Sequence, residues 1–396
     1  QSEEVIADRV ADTLVALGDG GAAMAGVAGT GGDARAWVTR LDAASELLGD
    51  GCVLGDLPME TTCPPGVPAL VERDDGALAL VYGDPDGTSA LLFVTVGADG
   101  ACGEATSVSI PGTGHPRDMV ARPDQPGFAL TSSGGTGCDD GTHGTLTLVD
   151  GVGGSPTVIS LQPIAGGTET KPRALVAVPA TEGSPAGYAV AGQIDGAAGL
   201  VVRTDLAGNG LWSRTHGAFD RISDVKNHPH GGLLLTGWDL GGEEGTSLLV
   251  MHVDDDGFEL NTWSYGGPYH DHGRSLAVMP DGGFLVVGDV ESDNPVVIRD
   301  RWAVRANRWG QVLWTLDDAL GQPDNTWGTD VIGLPDGGFL IAGTKGGPAS
   351  TLTRTDAWGE TACDTAGACA DIALDTCLTD LCLDATCEDG ACGTTT

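Results

Sequence analysis

Lysine is almost missing from this chain: among 396 residues it occurs only at Lys171, Lys226 and Lys345. Lys and Arg together number 19 against 56 Asp and Glu, for a net charge of −37. A field of that sign repels nucleic acid and anionic membranes, which excludes both as partners. Aromatics are scarce at 5%. No apolar run reaches the ~18 residues that a membrane-spanning helix needs. There is no Cys-x-x-Cys pair, so zinc-ribbon and thioredoxin-type sites are absent. No Gly-x-Ser-x-Gly, His-Glu-x-x-His or P-loop occurs, which removes the common nucleophile, metalloprotease and phosphate-binding motifs. The chain opens on Gln1 without methionine or signal peptide, as a processed exported chain would.

What is abundant is glycine, 64 residues, with enough apolar residues (41%) to build a core. The glycines are ordered. "PDGGFLVVG" at 280–288 returns as "PDGGFLIAG" at 335–343, with weaker copies along the chain. The anchoring glycines are Gly21, Gly76, Gly127, Gly187, Gly232, Gly283 and Gly338, spaced 55, 51, 60, 45, 51 and 55 apart. In five copies another glycine follows five residues later: Gly26, Gly192, Gly237, Gly288 and Gly343. A second landmark keeps the same register. Asp or Asn precedes Gly by three residues at Asp150/Gly153, Asp205/Gly208, Asp254/Gly257, Asn307/Gly310 and Asp356/Gly359, with Gly97/Gly100 and Asp42/Ser45 as variants.

Each unit reads as four short strands. Pro-Asp-Gly-Gly is turn chemistry, because proline presets φ and glycine accepts positive φ. The run after it is too short for a helix and rich in β-branched residues. The Asp-x-x-Gly element is the next tight turn, with Asp capping it and Gly in the left-handed conformation. A four-stranded meander of about fifty residues has two apolar faces and cannot bury both alone; radial packing of copies can. The expected fold is therefore all-β, a seven-bladed β-propeller of four-stranded antiparallel blades over 1–362, followed by a short disulfide-rich tail, 363–396. The blades fall near 1–65, 66–112, 113–164, 165–219, 220–271, 272–325 and 326–369. A β-solenoid would need a shorter repeat.

The phrases "PDGGFLVVG" and "RWAVRANRWGQVLW" resemble the repeats of secreted bacterial β-propellers, over about residues 10–360. The segment "CDTAGACADIALDTCLTDLCLDATCEDGACGTTT" is similar to cysteine-rich Cys-Thr-x-Asp-x-Cys repeats that follow propellers in some myxobacterial surface proteins. The ten cysteines are Cys52, Cys63, Cys102, Cys138, Cys363, Cys369, Cys377, Cys382, Cys387 and Cys392. An even, clustered set suits disulfides in an oxidising compartment. Cys363–Cys369 and Cys52–Cys63 are expected as local loops and Cys102–Cys138 as a link between neighbouring blades. The pairing of the last four is open.

Ligands of propellers usually sit over the central channel, among the loops between blades. One such loop, "YGGPYHDHG", holds His270, Asp271 and His272, a set able to ligate a metal or act as acid and base. Trp327, in the last such loop, could stack on a sugar. His228 and His230 lie in the turn between a unit's first and second strands, on the opposite face. Arg40, Arg203, Arg305 and Arg354 recur two residues before the turn Asp or Asn, as structural groups pairing with acidic neighbours between blades. Trp212 and Trp314 share one blade position. No cofactor is expected; the acidic stretches "DDDG", "DGTSA" and "DLGGEEG" could hold surface Ca2+ weakly. The functional expectation is a non-catalytic, extracellular or cell-surface binding or structural module. Its partner would be a protein or glycan, or further copies in a filament. The alternative is a secreted enzyme or lectin acting on polysaccharide at the channel mouth.

Overall fold

A computed structural model describes residues 3–359 except 7–8, 30–34, 55–68, 74, 84–88, 98–99, 111–114, 135–142, 152–154, 182, 197, 240, 242–244, 268, 292–298, 318–324 and 346–348, together with 385–388 and 391–394. Apart from one short helical turn, Gln162–Ala165, the regular elements are strands. After the first strand, β1 (Glu3–Ile6), they fall into consecutive fours. The first blade is β2 (Arg9–Ala16), β3 (Ala22–Ala28), β4 (Arg35–Leu41) and β5 (Cys52–Leu54). The second is β6 (Ala69–Glu72), β7 (Leu78–Gly83), β8 (Ser89–Val96) and β9 (Cys102–Ile110). The third is β10 (His115–Ala121), β11 (Gly127–Gly134), β12 (His143–Asp150) and β13 (Thr157–Ser160). The fourth is β14 (Thr170–Val178), β15 (Gly187–Ile194), β16 (Ala198–Asp205) and β17 (Gly210–His216). The fifth is β18 (Arg221–Asn227), β19 (Leu233–Trp238), β20 (Leu248–Val253) and β21 (Glu259–Tyr265), and the sixth β22 (His272–Val278), β23 (Phe284–Glu291), β24 (Arg299–Ala306) and β25 (Val312–Asp317). Then come β26 (Thr326–Gly333), β27 (Phe339–Lys345) and β28 (Ser350–Thr355).

Each four forms an antiparallel meander, its strands denoted a to d outward. The a strands adjoin one another in the order β2, β6, β10, β14, β18, β22, β26 and back to β2, so the sheets radiate from a central channel. The chain has the β-propeller fold. The repeats imply seven blades, and seven four-stranded sheets close the ring, but only six of them are built from four consecutive strands. The last repeat supplies only β26, β27 and β28, and its sheet is completed by β1, with Glu3 opposite Thr353 and Ile6 opposite Ser350. Residues 3–6 therefore belong to the last sheet, not to a first blade spanning 1–65. The physical reason is closure: a strand from one end of the chain ties the two ends of the ring together. No helix among the described residues is long and apolar enough to cross a membrane.

Packing lies between blades. The buried apolar residues divide into seven layers, each shared by two neighbouring sheets; Leu17, Val38, Leu78 and Tyr82 form one, and Phe219, Ile222, Leu235 and Val201 another. The alternating strand faces fill these layers, as period-2 patterning requires.

The second landmark is a lock between blades. Asp254 Oδ1 accepts the backbone N–H groups of Asp256 and Phe258, and Asn307 Oδ1 accepts those of Trp309 and Gln311. Gly257, Gly310 and Gly359 take φ of 79°, 75° and 84°. Each of these turns leans on a tryptophan of the preceding blade's d strand. Trp212 donates to the Asp255 carbonyl at 3.0 Å and Trp314 to the Ala357 carbonyl at 3.2 Å. A Cβ on Gly257 or Gly359 would stand 2.6 Å from those indoles. Glycine is required there twice over, by conformation and by space.

The recurrent arginines correct one expectation. Arg40 and Arg354 pair with Asp19 and Asp336, both at 2.6 Å, but these acids lie in the arginines' own blades. The neighbouring blade is reached through its carbonyls instead: Val96 O from Arg40 at 3.1 Å and Ala43 O from Arg354 at 2.8 Å. Arg203 and Arg305 donate to carbonyls of their own blade, among them Pro185 at 2.6 Å and Phe284 at 3.2 Å.

The disulfide pattern also differs. Cys52 bonds Cys102, across 50 residues with Cα atoms 5.6 Å apart, so Cys52–Cys63 and Cys102–Cys138 do not form. The reason is the same blade-to-blade lock. The c–d turn of the second blade, at Gly100, packs on the backbone of Leu48, which brings the start of β9 beside β5. Cys63, Cys138, Cys363, Cys369, Cys377 and Cys382 lie outside the described residues. In the hairpin of β29 (Ala385–Glu388) and β30 (Ala391–Thr394), Cys387 stands opposite Cys392.

Candidate functional site

Antiparallel strands put the d–a and b–c loops on one face of the ring and the a–b and c–d turns on the other. His270, Asp271, His272 and Trp327 all lie at the first face, where β22 and β26 begin. Six a strands carry a bulge against their b strand. Opposite it, in five of the six, sits the closing glycine of the repeat phrase; β11 has Ser132 there. A Cβ on Gly237 or Gly288 would collide with the Arg221 or His272 carbonyl, so this glycine serves the bulge. The next residue pairs with the first residues of the a strand: Arg221 with Trp238, His272 with Asp289, Trp327 with Thr344. At this rung the repeats stop agreeing.

The divergent residues form one file across three sheets. The Arg221 guanidinium lies 4.0 Å from the Trp238 ring centre, a cation–π contact. Trp238 lies 4.6 Å from His272. His272 Nδ1 is 3.0 Å from Asp289 Oδ2, and Arg274 Nε donates to Asp289 Oδ1 at 2.6 Å. Arg299 stands 3.6 Å from the same carboxylate, and Arg274 lies 5.9 Å from the Trp327 ring. Asp289 is fully buried. Burial pushes its carboxyl up, but the bond to His272 and the charge of Arg274 outweigh this and hold it below the usual carboxylate range.

The Thr246 hydroxyl lies 3.3 Å from both His270 Nδ1 and His272 Nε2. Thr246, His272 and Asp289 thus make a hydroxyl–imidazole–carboxylate file. Asp271 does not join it. Its side chain turns into the loop, where Oδ2 accepts the Gly267 N–H at 2.6 Å, and its N–H donates to the Thr246 carbonyl at 2.8 Å. It is fully buried, and burial raises its pKa. The histidines therefore share a face while the aspartate between them points away. His228 and His230 lie on the far face, as expected from their turn. There they meet His252, whose ring centre is 4.0 Å from that of His228. Their Nε2 atoms reach the Gly282 and Asp281 carbonyls, both at 3.3 Å.

A second constellation was not singled out from sequence. Asp118, Asp224 and Asp330 follow the bulge in alternate sheets, 106 residues apart each time (224 − 118 and 330 − 224). Each caps the next sheet's a strand, accepting the N–H of Leu175 at 2.7 Å, Leu276 at 2.9 Å and Leu14 at 2.7 Å. Ser275 Oγ lies 3.1 Å from Asp224 Oδ2 and 2.6 Å from Asp330 Oδ1, and Lys226 lies 2.8 Å from Asp224. Burial raises Asp118 to about 7, and Asp12, on the same inner rim, also to about 7. The two-blade period of Asp-apolar in the a strand was the available signal.

Among the described residues, no group of three or more His, Cys, Asp or Glu is arranged to hold a metal ion. Asp254 of "DDDG" and Asp239 of "DLGGEEG" spend Oδ1 on their own turns. The residues 86–88 of "DGTSA" lie outside the described residues.

No family model matches the chain, and no curated protein matches it either. Solved structures do. One is Chaetomium thermophilum Sqt1 bound to the N-terminus of the ribosomal protein L10: 15% identity, 90% of this chain and 87% of that one, TM-score 0.55. The Saccharomyces cerevisiae Sqt1 structure shares 11% identity over 89% and 84%, TM-score 0.52. The Dos1 propeller shares 13% over 86% and 76%, TM-score 0.51. At these identities the likeness concerns the fold.

Proposed function

We propose that this chain is a non-catalytic protein-interaction propeller that docks its partner on the d–a loop face, over the fifth, sixth and last sheets. The carrying observation is the Arg221–Trp238–His272–Asp289–Arg274–Trp327 file. Tryptophan and arginine are the residues that dominate binding energy at protein interfaces. Here they are gathered where the repeat ceases to constrain the sequence. The Sqt1 structure with the L10 N-terminus is a case of the same fold holding a protein segment. Cysteine usage favours an extracellular or cell-surface setting, since the Cys52–Cys102 bond needs oxidising conditions.

A second reading rests on Thr246–His272–Asp289, which has the order of a hydrolytic relay with His272 as base. Docking is favoured because Asp289 is also held by Arg274 and Arg299, so its carboxylate serves the whole file rather than His272 alone. Affinity capture from envelope extracts, comparing wild type with Trp238→Ala/Trp327→Ala, tests the first reading. A specific partner should be lost from the variant at unchanged melting temperature. An identical partner set, or polysaccharide turnover abolished by His272→Ala, would overturn it.

A further inference from the structure

The c–d turn is constrained at two positions, Asp or Asn at the first and glycine at the fourth. Its third position is free. The first, fourth and fifth blades place Ala44, Ala207 and Asp256 there; the last two sheets place Trp309 and Trp358. Neither ring is needed for folding: Trp309 is 63% and Trp358 71% exposed. They stand on the same face of neighbouring sheets. Trp309 leads directly into β25, whose Val312 and Leu313 are 50% and 55% exposed. Trp314, next along β25, donates to the carbonyl of Ala357, the neighbour of Trp358. Exposed indoles and aliphatic side chains gathered on two neighbouring sheets mark a contact surface.

Charge decides the occupant. Across the fifth, sixth and last sheets the turns on this face carry Asp254, Asp255, Asp256, Asp281, Asp336 and Asp356 against Arg308, with Arg305 and Arg354 near the ends of the strands beside them. A second copy brings net charge −37. The chain's own residues 360–396 begin beside Trp358, but they hold eight Asp and Glu and no Lys or Arg. Both are repelled. The rim already shows what it accepts, since the Arg308 guanidinium sits 4.2 Å from the Trp309 ring centre. We infer that Trp309, Val312, Leu313 and Trp358 form a docking surface for an Arg/Lys-rich segment of another protein, on the face opposite the Trp238–Trp327 file. Guanidinium or ammonium groups stack on the indoles, and the surrounding carboxylates steer the segment in.

Fluorescence anisotropy with labelled nona-arginine at about 0.15 M salt, where long-range fields are largely screened, tests this with the full chain. Trp309→Ala/Trp358→Ala should weaken binding about tenfold at unchanged melting temperature, whereas Trp238→Ala/Trp327→Ala should leave it unchanged. Equal affinity in the Trp309/Trp358 variant would reduce the binding to the diffuse negative field and overturn the proposal. Two further results would also overturn it. One is acrylamide quenching that is the same with and without these tryptophans, which would mean the chain covers its own rim. The other is self-association abolished by the same variant, which would make a second copy the occupant.

Discussion

Gly359 shows how much a single residue carries. It holds a positive φ and lies under the Trp314 ring, which reaches over from the sixth blade. Alanine there meets both a conformational cost of about 1 kcal/mol and the displacement of a packed indole. Gly359→Ala is expected to lower stability by about 2–3 kcal/mol in urea denaturation. Gly337→Ala has positive φ too, but its Cβ would meet nothing nearer than Ala357 at 3.8 Å, so it should lose only the conformational part. Equal losses at the two sites would refute the lock between turn and tryptophan. Both glycines were legible as turn residues. That Gly359 also makes room for Trp314 was not, because the two residues belong to different repeats.

At the scale of the strand, the a strands combine a bulge with half-buried acids. Asp12 and Asp118 are raised by burial from 3.8 to about 7. The folded protein therefore keeps protons that the unfolded chain releases, and stability falls as pH rises from about 4 to about 7. Asp12→Asn should remove part of this slope and stabilise the protein by about 1–2 kcal/mol at pH 8, with little effect at pH 4. Denaturation at the two pH values checks it; an equal effect at both would show that Asp12 titrates normally. Lys226 belongs to the same rim. Burial pulls its pKa down, but the charges of Asp224, Asp118 and Asp330 outweigh this and raise it, so one of the chain's three lysines stays charged among carboxylates. The candidate site was partly legible at this scale. His270, His272 and Trp327 were found because they lie in the loop between blades or at the strand start that follows it. Arg221, Trp238, Arg274 and Asp289 were missed because each is unremarkable within its own strand. With Trp327 they become a file only when five strands from three sheets meet. The usable signal was the residue after each closing glycine: Val27, Gln193, Trp238, Asp289 and Thr344 share nothing.

For the whole molecule, stability rests on contacts between sheets, since every apolar layer is shared by two of them. Two devices act across large sequence distances: the closing strand β1 on β28 and the Cys52–Cys102 bond between the first two blades. Closing a loop of this size is worth about 2–4 kcal/mol. Cys52→Ala/Cys102→Ala should lose about that much, and a reducing agent should lower the melting temperature of the wild type but not of the double variant. A wild type indifferent to reduction would show that the bond adds nothing to the fold.

The sequence by itself determined the unit. Turn glycines, capping Asp and Asn residues and short β-branched runs are local requirements, so seven copies in register were enough to imply four-stranded sheets packed radially. Only the tertiary structure decided which residues cross from one unit to the next. Ring closure by Glu3–Ile6, the partner of Cys52, the glycine beneath each indole and the Arg–Trp–His–Asp file all depend on the distance between strands far apart in sequence. Repeats constrain what each blade must do for itself; neighbours alone fix what two blades do together.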